Sequence, residues 1–422
     1  MERSSQISGF YKLPPEERLK IVQRFADLNA EEVQILSSTG GVTLEQADRM
    51  IENVVGVMPV PVGIAVNFLI NGRDYLIPMA IEEPSVVAAA SYAAKMARST
   101  GGFTAHTTGS VMIGQVQIVN ISDPQGARMA IFQAKEEILT KANEQDPVLV
   151  SFGGGAKDLQ ARIIHTSFGP MVIVELLVDC KDAMGANAVN TMAEAIAPLL
   201  ERVTGGQVYL RIISNLAIHR LARAKVVIPK DVIGGTSVVE GIILAYAFAA
   251  TDSFRCATHN KGIMNGISAV VLATGNDTRA IEAGAHAYAA LSGNYRPLTT
   301  WEQNEAGDLV GTIELPLAVG LVGGATRAHP VARTLVKMLG VTSAGEFGEV
   351  LASVGLAQNL AALRALANEG IQRGHMALHA RNIAVEAGAA EDQIDRVVQQ
   401  MIEERMIRID RAKQILLDMI RT

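Results

Sequence analysis

A lysine set among polar residues is the first place where this sequence offers chemistry. Thr258-His259-Asn260-Lys261-Gly262-Ile263-Met264-Asn265-Gly266 is a polar island between apolar stretches. A lysine embedded there is costly unless carboxylates pair with it. Asp277, in Gly275-Asn276-Asp277, lies sixteen residues on, and Glu83 is available as a second acid. A lysine between two carboxylates can meet an oxyanion as it forms while a neighbouring acid gives up a proton. The plainer alternative is a solvated loop lysine.

Two segments suit a phosphate-bearing ligand. Asp182-Ala183-Met184-Gly185-Ala186-Asn187 follows a predicted strand and opens a predicted helix. Its small residues let a ligand approach the backbone, and the helix N-terminus offers unpaired N–H groups and a positive dipole end. Gly153-Gly154-Gly155 is a second candidate loop. An ordinary strand-to-helix turn and a flexible bend are the plainer readings of the two. His375 and His379, four apart in Gly374-His375-Met376-Ala377-Leu378-His379, share one face if that segment is helical. With no third ligand of suitable spacing and no intervening Glu, the pair argues against a metal. The choice is between an acid carried in by a lid and two surface histidines.

G-x-G-x-x-G, P-loop, H-E-x-x-H, C-x-x-C and G-x-S-x-G patterns are all missing, which takes the best support from the usual Rossmann, ATPase, zinc and hydrolase readings. The net charge of -6, with no basic run, argues against nucleic acid, so an anionic substrate would have to be met by locally placed cations. Cys180 and Cys256 are too few for a disulfide framework and suit a reducing compartment. Met1 to Lys20 is polar and charged, unlike a signal peptide. The longest apolar run, Gly241 to Ala250, is short of the ~20 residues a membrane helix needs. A cytoplasmic protein with no membrane contact is the expectation.

The elements that must position these residues follow from pattern and punctuation. Pro14-Pro15-Glu16-Glu17 starts a helix, a second begins near Ala30, and a third runs from Thr43 into Met50-Ile51-Glu52-Asn53. Gly63–Leu69 and Tyr75–Met79 form a hairpin through Asn71-Gly72, and Val86 to Arg98 is a helix. From 110 to 213 the pattern is close to β-α-β-β-α-β: a strand over Val111 to Ile121, a helix over Asp123 to Asn143, a hairpin of Arg162–Phe168 and Met171–Asp179 through Gly169-Pro170, a helix over Asn187 to Val203, and a strand over Gln207 to Ile213. Val148 to Ser151 reads as a further short strand. The fold class is therefore α+β. A large, mixed, helix-rich domain (1–109 and 214–369) receives a small ferredoxin-like domain (110–213). A helical appendage (370–422) follows behind Gly370 and Gly374, as a movable lid or a fixed cap. About 422 residues accommodate that many units.

Taken in order, Glu52-Asn53-Val54-Val55-Gly56, Glu82 to Ser91, Asp182 to Asn187, Thr258 to Gly266 and Gly374-His375-Met376 closely resemble class II 3-hydroxy-3-methylglutaryl-coenzyme A (HMG-CoA) reductases. The resemblance covers nearly the whole chain. It implies reversible four-electron reduction of HMG-CoA to mevalonate and CoA with two nicotinamide cofactors, by way of a mevaldyl-CoA hemithioacetal and mevaldehyde. It makes 1–109 and 214–369 the substrate domain, 110–213 the NAD-binding domain and 370–422 a flap. It assigns Lys261 to the oxyanion, Glu83 to proton donation, Asp277 to tuning both, and His375 to protonating the CoA thiolate. Ser85, Asn215, Arg255, Asn265 and His379 match substrate contacts. Asp182, Met184, Gly185 and Asn187 match the cofactor loop, and no metal is implied. Asp146 stands where NAD-preferring members hold the adenosine ribose, and its charge would repel a 2′-phosphate, so NAD(H) is expected ahead of NADP(H). The resemblance also implies a homodimer with shared active sites, alone or as a trimer of dimers. Two rivals are a reductase of another CoA thioester and a non-catalytic CoA- or nucleotide-binding descendant. The first should have changed Arg255, and the second should have lost one of Lys261, Glu83, Asp277 or His375.

Overall fold

The computed structural model describes residues 4–39, 41–324, 328–368, 380–404 and 406–421. Helices α1 (Pro15–Ala26), α2 (Ala30–Ser37) and α3 (Leu44–Asp48) start where the sequence says. Pro15 and two acids open α1, and capping boxes Asn29/Glu32 and Thr43/Gln46 open the others. Helix α3 stops at Asp48 instead of reaching Asn53, which has φ 56°. Met50, Ile51 and Val55 are exposed, so burial of apolar side chains does little to hold further turns.

Strands β1 (Val62–Ile70) and β2 (Arg73–Ala80) pair as an antiparallel hairpin, with Asn71 and Gly72 both at positive φ as a tight two-residue turn demands. Helix α4 (Val86–Ala97) is fastened to β1 by the Val66 N–H, which donates to Ser91 Oγ at 3.1 Å. Strand β3 (Thr104–Thr107) then leads into the 110–213 region.

There, β4 (Val111–Val119), β5 (Gly155–Thr166), β6 (Gly169–Asp179) and β7 (Gln207–Ser214) form one antiparallel sheet in the order β5-β6-β4-β7. That is the ferredoxin-like order expected from the β-α-β-β-α-β pattern. Three local expectations need correction. The helix drawn over Asp123–Asn143 is two, α5 (Pro124–Gln133) and α6 (Lys135–Asn143), broken at Ala134; both pack on β5 and on the later helix of this region, and α5 also packs on β6. Val148–Ser151 is not a strand but lies in α7 (Pro147–Ser151). Asp146 caps its N-terminus and Pro147 sits at its first position, and these start signals outweigh the valines. The β5–β6 turn runs through Ser167-Phe168, steadied by Thr166 Oγ1, which donates to the Gly169 carbonyl, and β5 begins seven residues before Arg162. Helix α8 (Ala186–Thr204) lies across the sheet with Val189, Met192, Ala193 and Ile196 buried.

The chain then builds a second sheet, order β3-β8-β10-β9, from β8 (Leu221–Ile228), β9 (Thr299–Gln303) and β10 (Leu309–Pro316). Between β8 and β9 run α9 (Lys230–Ile233), α10 (Thr236–Thr251), α11 (Ser253–Ala273) and α12 (Thr278–Ala289). Helices α10 and α11 meet at 115° around Asp252, whose side chain caps α11. Helix α13 (Pro330–Leu339) packs on β2, and α14 (Ala344–Asn368) runs through the core against α4, α10, α11 and the second sheet. Among the described residues α14 is the one helix long and apolar enough to cross a membrane, and 67 % of its apolar window is buried inside the protein. At the C-terminus, α15 (Glu391–Glu403) and α16 (Ile409–Arg421) share a separate core of Ala380, Ile383, Ile394, Val397, Met401, Ala412 and Ile415.

Candidate active site

Helix α11 explains why a lysine follows a buried histidine and asparagine. At 3.6 residues per turn, Thr258, Lys261 and Asn265 share one face, and Cys256, His259, Asn260, Ile263 and Ile267 face the core. The outer face meets the loop between β2 and α4. There Glu83 Oε2 accepts from Lys261 Nζ at 2.9 Å and from Asn265 Nδ2 at 3.4 Å. The lysine is not buried as expected: its side chain is 62 % exposed, against 35 % for Glu83. It sits on the solvent side of the helix, so a single chain leaves half of its surroundings open.

Ser85, two residues from Glu83, opens α4 from the left-handed region (φ 75°) without capping it, and its buried Oγ has no hydrogen-bond partner among the described residues. A strained serine with an idle, buried hydroxyl beside an ion pair is a feature that folding alone does not require. Arg255, one turn and a half before Lys261, is half-buried, and its backbone N–H donates to Asp252 Oδ1 at 2.7 Å.

Asp277 is elsewhere. It caps α12, accepting from the N–H groups of Arg279 and Ala280 at 3.0 and 3.1 Å, and pairs with Arg279 at 3.2 Å. Among the described residues it makes no ion pair with Lys261. The reason is length: α11 runs on from Lys261 to Ala273, ~18 Å at 1.5 Å per residue, before Asp277 is reached. The expected lysine between two carboxylates therefore does not form within one chain.

The neighbour of Asp277, Asn276, leads to the other predicted segment. Asn276 Oδ1 accepts from the Gly320 N–H at 2.8 Å. A Cβ on Gly320 would lie 2.5 Å from the Met184 nitrogen, so only glycine lets these strands of chain touch. The Leu321 N–H donates to the Asp182 carbonyl at 2.8 Å, and Asp182 Oδ1 accepts from the Ala344 N–H at 2.8 Å. Asn215 lies further along, its carbonyl packed against Gly284 of α12. Gly185 precedes α8 at φ 106° with no side-chain cap. A Cβ there would meet Cys180 Sγ at 2.4 Å. Asn187 stands exposed on the first turn.

Sequence reasoning passed over Arg220. It is buried, donates to the carbonyls of Ala183 (3.0 Å), Met184 (3.2 Å) and Val319, and forms no ion pair among the described residues. Burial holds its pKa below the usual arginine value. No sequence signal sets Arg220 apart, because Arg223 and Lys225 follow it within the next strand. The glycine run 153–155 answers to packing: a Cβ on Gly154 would strike Leu149 and the Asp179 carbonyl, and one on Gly155 would strike Asn143. Asp146 Oδ1 accepts from the Leu149 N–H at 2.9 Å, which fixes the carboxylate at the start of α7. His375 and His379 lie outside the described residues, and the described ones hold no group of His, Cys, Asp and Glu fit for a metal.

Comparison with known proteins gives the family. The family model for hydroxymethylglutaryl-coenzyme A reductase matches residues 14–380. A 3-hydroxy-3-methylglutaryl-coenzyme A reductase of Archaeoglobus fulgidus is 64 % identical over 98 % of this chain and 94 % of its own length. A structure of the Streptococcus pneumoniae reductase superposes with a TM-score of 0.84 at 40 % identity, covering 98 % of this chain and 99 % of that one. A second, described as the class II reductase of the same organism bound to NADPH in open conformations, gives 0.82 at 40 % identity, covering 97 % and 100 %. The fold and sequence define a hydroxymethylglutaryl-coenzyme A reductase, and the chain belongs to the class II branch of that family.

Proposed function

We propose that the protein reduces HMG-CoA to mevalonate and CoA, reversibly, using two reduced nicotinamide cofactors in succession. The observation that carries this reading is the Lys261–Glu83 contact at 2.9 Å, flanked by the idle hydroxyl of Ser85. The nicotinamide, when bound, supplies the hydride. Lys261 meets negative charge on the substrate oxygen, and Glu83, hydrogen-bonded to that ammonium, delivers the proton. Ser85, Asn265 and Arg255 orient the acyl part through its hydroxyl and carboxylate, with Asn215 and His379 as further contacts. His375 protonates the departing CoA thiolate. The 370–422 segment acts as the flap that carries it.

The 110–213 unit is the cofactor-binding domain, inserted in a substrate domain of 1–109 and 214–369. Met184, Gly185 and Asn187 fit a pyrophosphate, since α8 begins at an uncapped glycine and offers its first N–H groups to a ligand, while Asp182, its carboxylate held by the Ala344 N–H, shapes the same cofactor loop. Asp146, steadied as a helix cap, faces the adenosine ribose and favours NADH over NADPH. The relative seen with NADPH makes this preference a property to be measured on this chain.

Asp277 enters the site from a second copy. Exposed apolar residues on the α3–β1 connection (Val55, Met58) and around the α10–α11 elbow (Leu244, Phe254) supply a surface for that copy. A homodimer with two shared sites, alone or as a trimer of dimers, is the working assembly, and the cytoplasm its place.

The test is absorbance of reduced nicotinamide with HMG-CoA. Oxidation faster with NADH than NADPH is expected; no oxidation with either rejects the function, and faster oxidation with NADPH rejects only the Asp146 reading. His375→Ala should lose far more activity on HMG-CoA than on mevaldehyde, which releases no thiolate; equal losses would remove His375 from that role.

A further inference from the structure

The face of α11 turned away from Lys261 is polar where a core helix is ordinarily apolar. Asn260, fully buried, clasps the chain just before β9: its Oδ1 accepts from the Leu298 N–H at 3.0 Å and its Nδ2 donates to the Arg296 carbonyl at 2.9 Å. His259, 2 % exposed, places Nε2 2.7 Å from Thr299 Oγ1. Thr299 Oγ1 lies 3.0 Å from Asn359 Oδ1 on α14, and Trp301 Nε1 lies 2.7 Å from the same oxygen.

Donor accounting gives this chain a direction. An indole N–H can only donate, so the atom it meets on Asn359 is the oxygen. The Thr299 hydroxyl must then donate to that oxygen too, and only its lone pairs remain for His259. His259 is therefore the donor, through Nε2–H, and its Nδ1 is a bare acceptor. Nδ1 is indeed buried without a partner among the described residues, which is tolerable for a lone pair and far worse for an N–H. Burial, with Arg255 nearby, pushes the imidazole pKa down to about 4, so the ring is neutral near pH 7.

We propose that the hydrogen-bond chain His259–Thr299–Asn359–Trp301 fixes the rotation of α11 about its axis, making His259 and Thr299 positioning residues for Lys261 and Asn265. This rests on the function proposed above. Lys261 follows His259 by two residues, ~200° around the helix. A slip of ~10° moves a group ~6 Å from the axis by ~1 Å, and a displacement of that size costs on the order of a hundredfold in rate. Through Asn359 the chain also locks α11 to α14, the helix that precedes His375 in the sequence.

Trp301 is the only tryptophan in the chain, so its emission reads the network without reference to activity. Thr299→Val removes both hydrogen bonds at constant shape, and Thr299→Ser keeps them. The valine variant, folded by circular dichroism, should shift the Trp301 emission and lower kcat on the order of 10–100-fold, with KM for HMG-CoA and NADH within about threefold of wild type. The serine variant should restore emission and kcat to within about twofold. If Thr299→Val does not fold, His259→Leu against His259→Gln poses the same comparison. An unshifted emission, a shifted emission with normal kcat, or a loss of kcat that serine does not restore would each overturn the proposal. Absence of HMG-CoA reduction in the wild type would instead reject the function, while the emission of the valine and serine variants would still judge the hydrogen-bond chain.

Discussion

The two ends of α11 carry different halves of one site. At the Lys261 end a cation and a carboxylate already touch, beside a serine hydroxyl with no partner among the described residues. At the far end Asp277 is built into a helix cap and tied through Asn276 and Gly320 to the loop Asp182–Met184, proposed above to hold the cofactor. The first half is open to solvent on the side where a substrate must lie; the second is braced by buried groups, Arg220 above all. The difference teaches that the fold of one chain pairs Lys261 with Glu83 but keeps Asp277 away from both. The Lys261–Glu83 pair belongs to one end and Asp277 with the Asp182–Met184 loop to the other, and α11 holds them apart by its length.

Each half can be broken separately. The largest effect belongs to the Lys261 end: Lys261→Ala should lower kcat by on the order of a thousandfold or more while leaving NADH affinity and melting temperature near wild type, as paired kinetics and calorimetry would show. A loss of cofactor binding instead would mean that the two ends are not separable.

Next is the buried face of the same helix. The folded imidazole of His259 titrates at about 4, below its ordinary 6.5, so the unfolded chain takes up the proton first as pH falls. The stability that the neutral ring confers is full above pH ~6.5 and drains away toward pH ~4, a span worth on the order of 3 kcal/mol. Urea unfolding across that range should show a flatter acid limb in His259→Leu; identical limbs would deny that the ring is neutral and buried.

At the cofactor end, Arg220→Met leaves the carbonyls of Ala183 and Met184 without their donor. It should raise KM for NADH by tens-fold, with a smaller change in KM for HMG-CoA, because a buried group left unpaired costs ~1–3 kcal/mol. Equal changes in both constants would place Arg220 in general stability. The smallest effect is expected from Asp146→Ala, which should narrow the NADH-over-NADPH ratio of kcat/KM by about tenfold. An unchanged ratio would take Asp146 out of cofactor choice.

Much of this architecture is legible in the amino-acid sequence. Local start signals mark most helices, Asn71-Gly72 marks the first hairpin, and the β-α-β-β-α-β order carries through to a sheet of the expected topology. The Lys261–Glu83 pair, 178 residues apart in the chain, comes from the family resemblance, residue chemistry alone offering Glu83 only as an available acid. What escapes depends on tertiary context. Val148–Ser151 reads as a strand because β-branched residues weigh toward strands, yet Asp146 and Pro147 start a helix. Asp277 reads as adjacent to Lys261 because sixteen residues is a short separation, yet most of them are drawn out along a rigid rod. His259 and Asn260 read with Lys261 as a single polar island, although the helical period turns His259 to the opposite side and Asn260 ~100° round, both into the core.

Hybrid complementation decides whether the halves meet across two copies. Lys261→Ala and Asp277→Asn chains, co-expressed with different tags and purified through both, yield mixed dimers in which one site carries both lesions and the other neither. Shared sites predict recovery of about half the wild-type HMG-CoA-dependent NADH oxidation, while Lys261→Ala paired with Glu83→Gln recovers none. A Lys261/Asp277 hybrid as inactive as its parents would contradict the account.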